Sequence, residues 1–337
     1  MRPGRSSSVT VNQVAAQAGV STATVSRVIS GSASVTADTE ARVRAAIAEL
    51  GYQPNRVARS LRSTTTRTIA IVLPGFHNPF FYDLIGQTVQ TARDADYTTL
   101  VASADDTIDE AVRIAQSNIV DGVILVPYDE GATARPLDQV ALPVVCFDRA
   151  PVDFQSTVFR VDNEAGSYEV TKHLVEQGAQ RIAHIAGPHQ VEASGLRLRG
   201  YLRALDEAGL RAQEPDVIEG NFREESGARA MRALLDGNED IDAVFAANDL
   251  MAIGAMSAAA DAGVAVPGDV LVAGFDDVLP SRYTVPRLTT YSQPITKIAR
   301  ACVHHLIDRI ESGARDARRR SILFPGRLVT RASSSSR

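Results

Sequence analysis

The sequence predicts a small all-α headpiece followed by a two-lobed α/β body built on parallel sheets. Three observations predict it. A helix–glycine–helix pattern opens the chain over residues 9–30, and charge divides sharply between the first 62 residues and the rest. Beyond residue 66, short apolar runs alternate with helix-period segments, as parallel sheets with helices on both faces require. That alternation fills two stretches of similar length, which gives two lobes.

The headpiece can be justified element by element. Thr10 and Gln13 stand at capping-box spacing, so a first helix starts there. Its inward stripe is Val14, Ala15 and Ala18. Gly19 supplies the left-handed backbone that ends it. Ser21 caps a second helix whose inward residues are Val25, Val28 and Ile29, leaving Thr22, Ala23, Ser26 and Arg27 off the core. A third helix runs over about 37–50, with Val43, Ile47 and Leu50 at helical spacing, and Gly51 ends it. Short hydroxyl side chains and one arginine on the outer face of the second helix are the build of a helix-turn-helix, whose second helix enters the major groove of DNA. Residues 1–62 hold eight Arg against three acids, a net of +5. The whole chain is −5, so residues 63–337 carry −10. A basic segment on an acidic chain is the electrostatic footprint of nucleic-acid binding. A small basic protein-binding module would show the same charge, but the glycine turn and its flanking helices fit groove reading more closely.

Pro54 stops the third helix and Asn55 caps a short one over about 54–62. Two turns are too short to be stable alone in water. Arg56, Arg59 and Arg62 lie on it with Val57, Ala58 and Leu61 interleaved. Such a helix forms when bound: the arginines pair with phosphates and Leu61 wedges between base steps in the minor groove. The plain alternative is an ordinary linker.

Residues 63–66 form a polar joint. Strands are predicted over 68–73, 98–102, 123–126, 144–147, 158–161, 181–186, 217–219, 243–246 and 270–274. Helices are predicted over 80–95, 109–117, 163–177, 194–208, 224–235, 249–262 and 295–312. The Ser-rich stretches at 6–8 and 333–336 read as disordered tails. Open α/β sheets bind ligands past the carboxyl ends of their strands. There stand the segment 74–81 with Phe80 and Phe81, then Asp148 and Arg149, Asn248 and Asp249, and Asp276 and Asp277. The helix after the sixth strand brings Arg197. Carboxylates, amides and a forked guanidinium beside aromatic rings suit a polyhydroxylated ring. An aspartate at a strand end serves as often as a helix cap.

At 337 residues, 45% hydrophobic and 22% charged, the chain suits two or three soluble domains. Cys146 and Cys302 stand alone, without metal or redox spacing, which implies a reduced compartment. No signal core or bilayer-length apolar run occurs, so a cytoplasmic protein without a membrane partner is expected. The nucleotide-cradling glycine motifs, H-E-x-x-H and G-x-S-x-G are missing, so no cofactor, metal or catalysis is expected. His304 and His305 are adjacent on a helix and point about 100° apart. The last residues lack the heptads of a tetramerising coil, which favours a dimer.

The runs Gly-Val-Ser-x-x-Thr-Val-Ser-Arg-Val at 19–28 and Gly-Tyr-x-Pro-Asn-x-x-Ala-Arg-Ser-Leu at 51–61 resemble the lactose-repressor/galactose-repressor (LacI/GalR) family of bacterial transcription regulators. The similarity extends along nearly the whole chain. It implies a homodimer on double-stranded DNA at a pseudo-palindromic operator, with bases read through Thr22, Ala23 and Arg27. Ser21, Thr24, Ser26 and Asn55 then fall on backbone or sugar contacts, and Leu61 on the leucine that kinks the operator centre. For the body it implies the periplasmic-binding-protein-like architecture, crossing between lobes near 161, 292 and 325. The domains become 1–62, DNA-binding with a hinge helix, and 63–337, effector-binding and dimerising. The lobes become about 67–161 plus 293–325, and 162–292 plus 326–332. Arg197 in Arg-Leu-Arg-Gly-Tyr, Asn248 in Ala-Asn-Asp-Leu-Met-Ala and Asp276 in Gly-Phe-Asp-Asp match effector contacts. Asp148, Phe222 and Gln293 match less specific positions, and Phe80 and Phe81 fall where first-lobe contacts arise. The implied function is an allosteric repressor controlled by a small sugar or sugar derivative. Phe81, Phe147 and Phe222 would equally stack on a purine, which keeps a nucleobase-responsive repressor open. A sugar-binding transport receptor would not need residues 9–62, and a sugar-metabolising enzyme would need residues that turn the ligand over.

Overall fold

A computed structural model describes residues 9–30, 35–52, 65–127, 137, 139–151, 153–212, 216–237, 240–314 and 318–335. The expected hinge helix, with Asn55, Arg56, Ala58, Arg59 and Leu61, lies outside them. The chain divides into two units between Thr66 and Arg67.

The first unit holds α1 (Val11–Ala18), α2 (Thr22–Ser30) and α3 (Ala37–Leu50). Helix α1 starts where Gln13 Oε1 accepts the Thr10 N–H at 2.8 Å. It ends at Gly19, left-handed at φ 65°, whose N–H reaches the carbonyls of Ala15 and Ala16. The core comprises Val14, Ala15, Ala18, Val25, Val28, Val43 and Ala46. On α3 the most deeply buried positions are Val43 and Ala46, while Ile47 and Leu50 pack half-buried at the edge. Three short helices enclose little volume: Val14, Val25 and Val43 fill its centre with Ala46 beside them, and the bulkier Ile47 and Leu50 flank it.

The second unit contains two six-stranded sheets. The first takes β1 (Thr68–Leu73), β2 (Thr98–Ser103), β3 (Gly122–Leu125), β4 (Val144–Phe147), β5 (Thr157–Val161) and β11 (Arg320–Phe324), in the order β11-β5-β4-β3-β1-β2. The second takes β6 (Ile182–Ala186), β7 (Val217–Glu219), β8 (Ala243–Ala246), β9 (Leu271–Asp276), β10 (Thr289–Ser292) and β12 (Arg327–Val329), in the order β12-β10-β9-β8-β6-β7. Among the described residues every pairing is parallel except β10 with β12. Helices α4 (Phe80–Asp94) and α5 (Thr107–Gln116) belong to the first lobe. Helices α6 (Asn163–Glu176), α7 (Glu192–Glu207), α8 (Glu224–Gly237) and α9 (Asp249–Asp261) belong to the second. After β10, α10 (Ile295–Ser312) returns to pack on α4, β3, β4 and β5. The chain therefore passes between the sheets after β5, after β10 and between β11 and β12. Tight parallel neighbours often need a missing side chain. On α8, a Cβ at Gly227 would lie 2.0 Å from the Met251 carbonyl oxygen, and on α9 one at Gly254 would lie 2.0 Å from that of Glu224.

Strands β10, β11 and β12 escaped the apolar-run pattern, because they read Thr-Thr-Tyr-Ser, a largely exposed edge, and a three-residue pair. The tail at 333–335 corrects the expectation of disorder. Ser333 and Ser334 are fully buried. Ser333 Oγ donates to the Val272 carbonyl at 2.6 Å and accepts the Thr289 N–H at 2.8 Å. Ser334 Oγ lies 2.6 Å from Thr289 Oγ1 and 2.7 Å from His173 Nε2. Small hydroxyls here satisfy buried backbone of β9 and β10, a task that composition cannot reveal. Among the described residues, no helix is long and apolar enough to cross a membrane.

Candidate functional site

In the first unit, α2 is pinned by Val25 and Val28 and turns Thr22, Ala23, Ser26 and Arg27 outward. Ser21 is its cap: Oγ accepts the Thr24 N–H at 3.1 Å and lies 2.9 Å from Thr24 Oγ1. Thr24 is half-buried. Two other arginines are tied within α3, Arg42 to Asp38 at 3.4 Å and Arg44 to Glu40 at 2.6 Å.

In the second unit, a cleft of about 300 Å³ opens between the two lobes, at the carboxyl ends of both sheets. Phe80, Phe81 and Asp148 line it from the first lobe, Arg197, Phe222 and Asp276 from the second, and Gln293 from the second crossing. Three of these residues carry a left-handed backbone without being glycine: Asp148 at φ 67°, Phe222 at φ 63° and Asp276 at φ 118°. Such conformations cost on the order of 1–3 kcal/mol each and gather where a site dictates the backbone.

Arg197 is the centre of the polar floor. Its Nε donates to Asn163 Oδ1 at 2.8 Å, its Nη1 to the Ala247 carbonyl, and its guanidinium lies 3.8 Å over the Phe275 ring. Nη2 faces Asp276 Oδ1 at 3.7 Å, too far for a direct hydrogen bond and a gap that a ligand hydroxyl can bridge. Gln293 Nε2 donates to the same oxygen at 2.7 Å. Burial pushes the Asp276 carboxyl up to about 6, against the pull of Arg197 and of the Gln293 amide. Burial likewise lowers the Arg197 guanidinium, opposed by Asp276 and Asp148. Asp148 pairs through Oδ2 with Arg149 at 3.2 Å, while its Oδ1 is buried with no hydrogen-bond partner. A buried carboxylate oxygen left open beside a cleft is an acceptor waiting for a donor. Phe80 and Phe81 meet edge to face, ring centres 5.4 Å apart, and form an apolar wall.

Asn248 lies directly behind Phe222 rather than on the cleft wall. Its Oδ1 caps α9 by accepting the Met251 N–H at 3.0 Å and its Nδ2 donates to the Phe222 carbonyl at 3.0 Å. With both ends of its amide engaged and the side chain buried, it holds Phe222 in place from beneath. Asp249 is also structural, accepting from Thr290 Oγ1 at 2.5 Å and from the Val278 N–H at 2.9 Å. Burial, then the neighbouring Asp276, raise its carboxyl well above the usual range. Asp277 pairs with Arg331 at 2.5 Å and Arg282 at 3.2 Å. Sequence reasoning missed the outer rim of Asn221, Arg223, Glu224 and Glu225. Their one signal was their place just past β7, a strand the sequence did predict, but exposed charged residues there read equally well as the first turn of the next helix. No group of three or more metal-ligating side chains occurs among the described residues.

The profile of the lacI family of bacterial regulatory proteins matches residues 10–55, and that of the periplasmic binding protein-like domain matches residues 171–334. The chain is 36% identical to the HTH-type transcriptional repressor PurR of Photorhabdus laumondii over 333 residues, covering 96% of both. Among solved structures it is similar to the transcriptional regulator CelR–cellobiose complex, with TM-score 0.73, 35% identity, and 96% of this chain and 99% of that one covered. It is also similar to the lac repressor dimer bound to operator and the anti-inducer ONPF, with TM-score 0.85, 29% identity, and 98% and 100% covered. A helix-turn-helix in the first unit, two largely parallel sheets linked by three crossings in the second, and relatives matched along nearly their whole length lead to one assignment: the chain belongs to the lacI family of bacterial regulatory proteins.

Proposed function

We propose that the protein is a repressor that binds a pseudo-palindromic operator as a homodimer, and that a small sugar or sugar derivative in the interlobe cleft sets its operator affinity. The observation that carries the ligand class is that Asp148, with one buried carboxylate oxygen that has no hydrogen-bond partner, lines the same cleft as Arg197 and Asp276, beside a wall of phenylalanine. Vicinal hydroxyls donate to the carboxylates and accept from the guanidinium, while the apolar face of a sugar ring lies on Phe80 and Phe81. In this reading residues 1–62 form the DNA-binding domain, with Arg27 as the partner of a guanine edge. The body provides dimerisation and the effector site without catalysis. The effector acts only through its different affinity for two lobe arrangements, and a coupling of about 1–3 kcal/mol gives a 5–150-fold response.

A second reading, a purine base as effector, draws on the Phe222 ring at the cleft wall and on the likeness to the PurR repressor. Titration calorimetry with mono- and disaccharides and with purine bases separates the two. The operator is first selected from random duplexes, and gel shifts then read its affinity with each binder. A chain that selects no symmetric duplex, or whose operator affinity no binder alters, would overturn the proposal.

A further inference from the structure

We infer that Arg160 and Glu192 form an interlobe latch that holds the cleft in its present opening and so positions Arg197 for the ligand. Arg160 lies near the end of β5 in the first lobe, and Glu192 opens α7 in the second. Arg160 Nη1 meets Glu192 Oε2 at 2.5 Å, and Arg319, just before β11 in the first lobe, reaches the same oxygen at 3.7 Å. Two cations from one lobe thus converge on one carboxylate of the other. That carboxylate belongs to the first turn of the helix carrying Arg197 five residues on, one and a half turns away.

The pair is poised rather than permanent. Arg160 is largely buried, with its side chain 12% exposed, so its ion pair is less screened than a surface one. Yet its Nε is buried with no acceptor, an uncompensated loss that a fixed staple would not carry. The arrangement gains at one end of the guanidinium and loses at the other, so a modest bias shifts it. A ligand drawing Arg197 toward Asp276 pulls on the helix that Glu192 ties to the first lobe. Neither Arg160 nor Glu192 is among the residues that line the cleft; they act as positioning residues.

The test compares the full chain with Glu192→Gln, Glu192→Asp and the charge swap Arg160→Glu with Glu192→Arg. Nitroxide labels on cysteines placed at the exposed Gln116 and Arg229 report the distance between lobes without ligand. The native Cys146 and Cys302 are buried. Glu192→Gln is expected to broaden or lengthen that distance distribution and weaken sugar binding about fivefold, the equivalent of about 1 kcal/mol. Glu192→Asp or the swap is expected to restore the wild-type distribution at least in part. An unchanged distribution in a folded Glu192→Gln chain overturns the latch, as does a change that neither restoring variant reverses. The affinity arm rests on the effector reading above, but the distance arm does not. A wild-type chain that binds no sugar would therefore sink that reading and leave the latch to be judged on distance alone.

Discussion

Gln293 donates its side-chain amide to Asp276 Oδ1 at 2.7 Å, joining the chain's second crossing to the end of β9 at the floor of the cleft. The same oxygen stands 3.7 Å from Arg197. One carboxylate thus couples a hinge segment, a lobe-two strand and the central cation, and its charge state is set by burial against those two partners.

The first prediction concerns pH. The folded Asp276 carboxyl sits at about 6, above its usual 3.8. The folded protein therefore holds this proton more tightly than the unfolded chain, so ionised Asp276 costs stability above pH 6. That cost fades as pH falls from 6 towards 3.8. Ligand binding carries the opposite sign, because protonation removes an acceptor and the counter-charge of Arg197. Sugar affinity should fall as pH drops from 7.5 to 5, with a midpoint near 6, and Asp276→Asn should bind weakly with that dependence flattened. Calorimetry across this range checks it, and an affinity indifferent to pH in the wild type would remove Asp276 from the site.

Asn248 separates a cap from a ligand contact. Asn248→Asp keeps an acceptor for the Met251 N–H and replaces the donor to the Phe222 carbonyl with a carboxylate oxygen. The loss should be about 1–3 kcal/mol of stability in urea unfolding, since a part-buried carbonyl loses its donor and meets a carboxylate oxygen instead. Ligand affinity should fall with it, through the displaced Phe222 ring. Stability equal to wild type with binding abolished would mean that the amide touches the ligand after all.

Ser333→Ala tests the buried tail. The hydroxyl both donates to Val272 and accepts from Thr289, so its removal orphans two backbone groups of adjacent strands. A loss of about 1–3 kcal/mol is expected, measured as a lowered midpoint of thermal or urea unfolding. A solvated tail would instead tolerate the change within about 0.5 kcal/mol.

What sequence alone made legible follows periodicity and position. The inward faces of α1 and α2 were readable because valine and alanine recur at helical spacing and Gly19 marks the turn. Arg197 and Asp276 were found through their motifs, and Asp276 also as a residue just past a strand. Asn248 was singled out by its motif and by the same rule of position, neither of which reveals that its amide also caps α9 and holds the Phe222 carbonyl. The tail serines and β10 were missed because small polar residues give no apolar signal, even when buried, while β11 is a largely exposed edge and β12 only three residues long. The start of α5 at Thr107 rather than 109 was missed likewise: Asp106 caps it through two backbone N–H groups, an effect of local hydrogen bonding rather than hydrophobic pattern.

The last prediction returns to the headpiece. Arg27 is exposed on α2 between Val25 and Val28, which anchor the helix from its other face. Removing the side chain should leave the fold intact, because Arg27 is exposed and lies outside the headpiece core. If its guanidinium reads a guanine edge, Arg27→Ala costs about 1–3 kcal/mol against the selected operator and much less against random duplex. A contact to phosphate predicts something different: a uniform loss across sequences, with a shallower salt dependence. Arg27→Lys sharpens the distinction, since lysine retains the charge but not the planar two-donor fork. Gel shifts at several salt concentrations on operator and scrambled duplex supply both readings. Selectivity unchanged in Arg27→Ala would assign base reading to Thr22 and Ala23, whose short side chains would then have to lie against the groove floor.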